Sequence, residues 1–279
     1  MGCLRLALRT GDPDWWRRAY ESARHLADVD LDRSSGLPFR HGPEHRRRDT
    51  ELGHVWIRGL REVGLCFADR PLLEAARRMA RSLAERARNR RGARGERDRL
   101  RDEAWPLWEL EEHLRFESTD PIVAACDVLV GAIRRRWDAE FAVFRYGEGE
   151  PVRGESYYDR IWQTCALLLP SLRLARERGV WPESSVVEES VEERFETLVE
   201  SGRVGFPLGV QVRGRELFRP TFGSESFEAL LAFDGLSDPT RKRLFRRLRS
   251  ALESALPEGS KDFATRFVVA SRCGFVLGR

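Results

Sequence analysis

The chain has 279 residues, 41% of them hydrophobic and 34% charged, enough for one sizeable core and too apolar for a disordered tail. Its net charge of +4 comes from 49 basic against 45 acidic residues, and every basic residue but Lys242 and Lys261 is arginine. The excess is spread along the chain, which speaks against a concentrated nucleic-acid footprint, and no apolar run reaches the roughly 18–20 residues of a membrane span.

From the N-terminus onward, an apolar helical stretch is five times followed by a tight turn with a proline, and then by a second helix. The turns are Thr10-Gly11-Asp12-Pro13, Ala68-Asp69-Arg70-Pro71, Ser118-Thr119-Asp120-Pro121, Val180-Trp181-Pro182 and Ser237-Asp238-Pro239. Proline follows proline at steps of 58, 50, 61 and 57 residues. Aspartate before proline starts a helix well, because the carboxylate caps free N–H groups and proline's fixed φ suits the first turn. A period of this kind marks an array of helical hairpins.

The two helices of each hairpin differ. The second ones carry a single apolar stripe: Leu72, Ala76, Met79 and Leu83; Ile122, Cys126, Leu129 and Ile133; Val187, Val191, Phe195 and Leu198; Leu244, Leu248, Leu252 and Ala255. The first ones, expected near 50–67, 102–116, 156–177, 224–234 and 262–276, are apolar on more than one face and should be buried. An inner layer of buried helices inside an outer amphipathic layer predicts an all-α fold, an α/α toroid of helical hairpins forming a single domain over 1–279. An open solenoid is the competing arrangement.

Turns within hairpins are short, whereas the loops between them, about 29–49, 89–101, 138–155, 202–223 and 256–261, are long and fall at one end of such a ring. Binding residues collect on loops held by a rigid scaffold. The fourth loop is expected to hold a small β-hairpin near 204–221, from Phe206, Val210, Val212, Leu217 and Phe218.

Cys3, Cys66, Cys126, Cys165 and Cys273 are far apart and form no CxxC pair. The middle three sit in helical stretches as small hydrophobes, which points to a reducing, cytoplasmic setting. Met1-Gly2-Cys3 lacks the apolar core of a secretion signal, and the helical pattern starts abruptly at Gly2, which leaves room for an upstream segment.

The chemistry-bearing residues concentrate in Arg40-His41-Gly42-Pro43-Glu44-His45-Arg46-Arg47-Arg48-Asp49-Thr50-Glu51-Leu52-Gly53-His54-Val55-Trp56. Three of the five histidines lie here beside carboxylates that can orient them as acid or base. The plainer reading is that Asp49 or Thr50 caps a helix and His54 fills a polar pocket. The spacing His41-x3-His45-x8-His54 matches no zinc motif, so neither metal nor other cofactor is expected.

Asp102 and Trp105 repeat the theme, as do Tyr158-Asp159 and Trp162-Gln163: an aspartate expected to begin a first helix, with a tryptophan three residues on. Flat rings cover sugar faces and carboxylates hold hydroxyls, so these residues suit a saccharide. Capping and core packing are the plainer roles of the same types. Arg48 sits where it would attract an anionic sugar such as a uronate.

The stretch from Gly11 to about Ala87, with Thr10-Gly11-Asp12-Pro13, the helix end His25-Leu26-Ala27-Asp28, the histidine-rich loop and Gly53-His54-Val55-Trp56-Ile57-Arg58-Gly59-Leu60, resembles the six-hairpin α/α-toroid carbohydrate-active proteins. That group includes polysaccharide lyases, unsaturated-uronide hydrolases and related glycosidases. The resemblance implies an oligosaccharide-handling cavity at the long-loop end. A lyase would use Tyr158 with His45 or His54 to remove the proton α to a uronate, with Arg48 or Arg58 neutralising its carboxylate. A hydrolase would use an acid of raised pKa, for which Asp49, Asp102 and Asp159 are candidates. By that resemblance the chain is expected to hold a clipped first helix and no twelfth, which departs from a full ring.

The catalytic candidates are therefore His45, Asp49, His54, Tyr158 and Asp159. The substrate-binding candidates are His41, Arg48, Trp56, Arg58, Asp102, Trp105, Trp162 and Gln163. The expected partner is an anionic oligo- or polysaccharide, with neither nucleic acid nor membrane. A non-catalytic scaffold or glycan binder using the same face is the alternative, and an isoprenoid cyclase is disfavoured because no aspartate-rich diphosphate motif is present.

Overall fold

The computed structural model describes residues 2–40, 50, 52–89, 100–145, 156–159, 164–200, 206–213, 216–223 and 235–244. Contacts gather the chain into two compact units, Met1–Glu96 with Arg101–Gly131, and Arg97–Leu100 with Ala132–Arg279.

The first unit is built of helical hairpins. Helices α1 (Gly2–Thr10) and α2 (Pro13–His25) pack together, as do α3 (Ile57–Cys66) and α4 (Arg70–Asn89), and α2 touches α3. The α1–α2 turn works as the sequence predicts. Gly11 takes φ +71, a left-handed value that suits glycine, and Asp12 accepts the Asp14 N–H at 2.8 Å with Pro13 opening α2. Asp69 does the same for α4, accepting the Leu72 N–H at 3.0 Å, so Arg70, which separates it from Pro71, takes the first helical position. The carboxylate of Asp69 also receives the Tyr20 hydroxyl at 2.8 Å, which ties α2 to the α3–α4 turn.

Helix α4 buries the stripe read from its sequence: Leu72, Ala76, Met79 and Leu83 are at most 1% exposed. Each of its two buried leucines contributes roughly 2 kcal/mol. Helix α5 (Leu100–Leu114) and helix α6 (Asp120–Arg134) follow, with Ile122, Cys126, Leu129 and Ile133 buried on α6. Helix α6 begins at Asp120 itself, and the Thr119 carbonyl accepts the Ile122 and Val123 N–H groups.

Arg58 and Arg61 of α3 meet Glu109 and Glu112 of α5, so the two helices run side by side in the same direction. Consecutive hairpins place their first helices in this way. Buried thiols are found at Cys126 and Cys165, but Cys66 is exposed, because it closes α3 at the turn instead of lying within its apolar face.

In the second unit, α7 (Leu169–Glu177) and α8 (Ser184–Glu200) form a hairpin around Val187, Val191, Phe195 and Leu198. A two-stranded ladder pairs β1 (Trp137–Asp138) with β2 (Val143–Phe144), a feature the sequence pattern did not announce. The expected β-hairpin is present as β4 (Phe206–Arg213) and β5 (Glu216–Gly223).

One correction concerns β3 (Ser156–Asp159), which was expected to open a first helix over 156–177. The segment instead pairs antiparallel with β4, Tyr158 opposite Gln211 and Asp159 opposite Val210. Tyrosines favour an extended, laterally paired backbone, and β4 offers a free edge for them. A π turn over Thr164–Leu168 leads into α7.

The carboxylate of Glu192 organises the C-terminal side of this unit. It receives the Ser237 N–H at 2.5 Å, the Ser237 and Thr240 hydroxyls at 2.5 Å each, and Arg173 at 3.1 Å. One buried acid thus fastens the helical turns at 238–244 to α7 and α8. The first helices expected at 224–234 and 262–276, and Leu248, Leu252 and Ala255, lie outside the described residues.

Candidate functional site

Helix α3 begins without a capping side chain of its own. Its N-cap residue is Trp56, whose ring accepts no N–H, and the amides of the first turn need another acceptor. The neighbouring helix supplies it. Glu109 Oε2 on α5 accepts the Arg58 N–H at 2.7 Å, and one turn earlier the Trp105 indole Nε1 donates to the Val55 carbonyl at 2.7 Å.

One turn earlier again, Arg101 and Asp102 press against Gly53 in the short 3-10 turn Leu52–His54. A Cβ at that glycine would stand 2.5 Å from Arg101 Nε and 2.9 Å from Asp102 Oδ1. An added side chain there would have to push both aside. Asp102, Trp105 and Glu109 follow one another at helical spacing; Trp105 and Glu109 hold the segment at Val55 and Arg58, and Asp102 lies against Gly53.

The rings gather at the same place. Trp56 meets Trp105 edge-on with centroids 4.8 Å apart, and Trp105 meets Trp108 at 6.5 Å. Trp105 is 7% exposed and its N–H is satisfied, whereas Trp56 and Trp108 remain half-buried. Pro106 lies inside α5, so residue 106 brings no N–H to the Asp102 carbonyl and that rung of the helix is absent.

Beneath the rings lies a charged layer. Glu109 is 2% exposed, and burial pushes its carboxyl up to about 7, against the pull of the Arg58 N–H and of the Arg58 and Arg61 charges. The Arg58 guanidinium is taken up by Glu62 at 2.7 Å, with Glu112 at 3.9 Å. Arg61 is 5% exposed, donates to the Glu112 carbonyl at 3.3 Å and lies 3.7 Å over the Phe116 ring. Burial and the Arg61 charge push the His113 imidazole below its usual range, which keeps it neutral. Among the described residues no group of three His, Cys, Asp or Glu is arranged to hold a metal ion, and no helix is long and apolar enough to cross a membrane.

Of the residues singled out from the sequence, the structure brings together Trp56, Asp102 and Trp105, with the backbone of His54 between Gly53 and Val55. Arg58 starts in the same cluster, but its charge is turned to Glu62. The backbone places Tyr158 and Asp159 on β3 of the second unit. His41, His45, Arg48, Asp49, Trp162 and Gln163 lie outside the described residues. The sequence reading missed Arg101 and Glu109. Arg101 directly precedes Asp102, a weak signal among many arginines, and Glu109 sits in an acidic run that looks like a solvated face.

No family profile matches the chain, and no curated protein matches it in sequence. Solved structures do match. The chain is similar to a GH76A alpha-1,6-mannanase from Salegentibacter sp. HEL1_6, with a TM-score of 0.62 at 12% identity over 88% of this chain and 71% of that one. It is likewise similar to an unsaturated glucuronyl hydrolase from Streptococcus agalactiae, with a TM-score of 0.60 at 12% identity over 92% of this chain and 78% of that one. Both are α/α-toroid carbohydrate-active enzymes, and the likeness shows that this chain has their fold.

Proposed function

We propose that the chain is a carbohydrate-active protein whose site lies at the start of α3 and the first turns of α5. It acts there on an acidic oligo- or polysaccharide, by hydrolysis in preference to elimination. The observation that carries this reading is the placement of Asp102 and Arg101 against Gly53, one turn from the Trp56–Trp105 pair. A carboxylate, a guanidinium and a half-buried ring are the groups that a sugar with a carboxyl substituent needs.

The names of both structural neighbours describe enzymes that cleave glycosides, which supports hydrolysis. In this reading Asp102 serves as acid or nucleophile beside Asp49, and His54 and His45 assist proton transfer. Trp56 forms the platform, backed edge-on by the buried Trp105. The carboxylate of the sugar falls to Arg48, because the Arg58 guanidinium is engaged by Glu62. A hydrolase of this type works with two carboxyl groups across the bond.

The experiment incubates the full chain with an unsaturated uronide disaccharide, an oligogalacturonate and an α-1,6-mannan. It follows reducing ends and the ultraviolet band of unsaturated uronides. Hydrolysis predicts new reducing ends, lost by at least a hundredfold in Asp102→Asn. A new ultraviolet band that disappears in His54→Ala would establish elimination instead. Tyr158→Phe and Asp159→Asn test the roles expected of those two residues. No turnover, with binding retained by wild type and lost in Trp56→Ala, would identify a glycan-binding scaffold.

A further inference from the structure

Glu109 takes no part in the chemistry proposed above, yet its carboxylate is the acceptor for the first turn of α3. Helix α3 begins at the ring that the site requires, and tryptophan cannot cap. The missing acceptor comes from 51 residues further along the chain. The second point of attachment is the Trp105 indole, four residues before Glu109 on the same face of α5. Together they grip the peptide on both sides of Trp56: Val55 through its carbonyl, Arg58 through its N–H.

We propose that Glu109 is a positioning residue of the glycan site, a carboxyl cap lent by α5 to α3 that sets the placement of Trp56 and of the His54 backbone. This rests on the functional reading only for its consequence in binding. The cap itself is a statement about the protein alone.

The device is responsive to protons. The charged groups facing Glu109 are Arg58 and Arg61 from α3 and Glu112 from its own helix, with Glu62 drawn onto Arg58. Because burial holds its carboxyl up to about 7, the cap changes state near neutral pH. Ionised, Glu109 is a charge-assisted acceptor at the positive end of α3. Protonated, it accepts more weakly, and its new O–H competes for a partner. The segment around Trp56 is therefore held most firmly above pH 7 and loosens below it.

The test needs no substrate. With 15N-indole-labelled tryptophan in the full chain, the Trp105 Nε1–H resonance is assigned by its loss in Trp105→Phe and followed from pH 5.5 to 8.5. A transition with its midpoint near 7 is expected in wild type and absent in Glu109→Gln, which keeps an acceptor but cannot titrate. A resonance that stays fixed, or that titrates equally in Glu109→Gln, overturns the proposal whatever the protein acts on. With oligogalacturonate as the probe, Glu109→Ala should raise KM or Kd about tenfold with a smaller change in kcat, while Glu109→Gln binds nearly as wild type does above pH 7 and lacks the weakening that wild type shows below it. If Glu109→Ala does not fold, the pH profile of Glu109→Gln decides. No binding of any glycan by wild type would refute the functional reading and leave the indole titration to judge the cap.

Discussion

Replacing Glu109 by glutamine should make the protein more stable at alkaline pH, against the usual outcome of altering a buried, hydrogen-bonded residue. Burial lifts the carboxyl from its usual 4.5 to about 7, so the folded chain binds this proton more tightly than the unfolded chain does. The contribution is favourable and fully present below pH 4.5. It is lost as pH rises from 4.5 to about 7, where only the unfolded state has released the proton, and is constant above that. The gap corresponds to about 3 kcal/mol, the cost of keeping an ion in a site that is 2% exposed. Glutamine has the same reach, can accept the Arg58 N–H through its carbonyl oxygen, and carries no charge to desolvate. Urea unfolding of wild type and Glu109→Gln, at half-unit steps from pH 4.5 to 8.5, isolates the effect, since every other carboxylate is common to both proteins. The variant should gain on wild type across the window, ending up to about 3 kcal/mol ahead. A difference that is independent of pH, or a variant less stable than wild type at pH 8, would refute the reasoning.

Gly53→Ala should displace Arg101 and Asp102, whose atoms stand within 3 Å of the added carbon. Both are side-chain atoms that can swing aside, so glycan turnover or binding should fall at least tenfold while Tm moves by only a few degrees in calorimetry. Glu192→Ala should cost about 2–4 kcal/mol, because it strands the half-buried Ser237 and buried Thr240 donors together. Hydrogen exchange should show amides in 238–244 losing protection before those of α3 and α4. Asp69→Asn should lower the pH at which Tyr20 ionises, read from phenolate absorbance, since the Asp69 carboxylate is the main cause holding that phenol above its usual range.

What was legible in the sequence is what local chemistry decides. Asp12 and Asp69 cap the helices they precede, and the stripes on α4, α6 and α8 are buried where the 3.6-residue spacing puts them. The hairpin rhythm led to the right fold, and Phe206, Val210, Val212, Leu217 and Phe218 to the right β-hairpin. Residues whose role is set by a distant partner were not legible. Ser156–Asp159 reads as the start of a helix until β4 offers it an edge, and a strand that short has no periodicity of its own. Glu109-Leu110-Glu111-Glu112 reads as a wet helical face, yet Glu109 and Glu111 are 2% exposed.

The two kinds of residue meet at α3, and the reason is physical. A helix start that must present a tryptophan gives up its own cap, and the free amide has to be satisfied from elsewhere. The neighbour best placed to do so is the parallel helix of the next hairpin, at the cost of burying a carboxyl group. At the start of α3 the cap position is occupied by Trp56, and the buried Glu109 carboxylate meets the Arg58 N–H in its place. The same logic explains why the stable parts of the fold were predictable while the acceptor at Glu109 was not. Caps that serve stability are local, as at Asp12 and Asp69, whereas the cap of α3 lies half a hundred residues away because the local position was already taken.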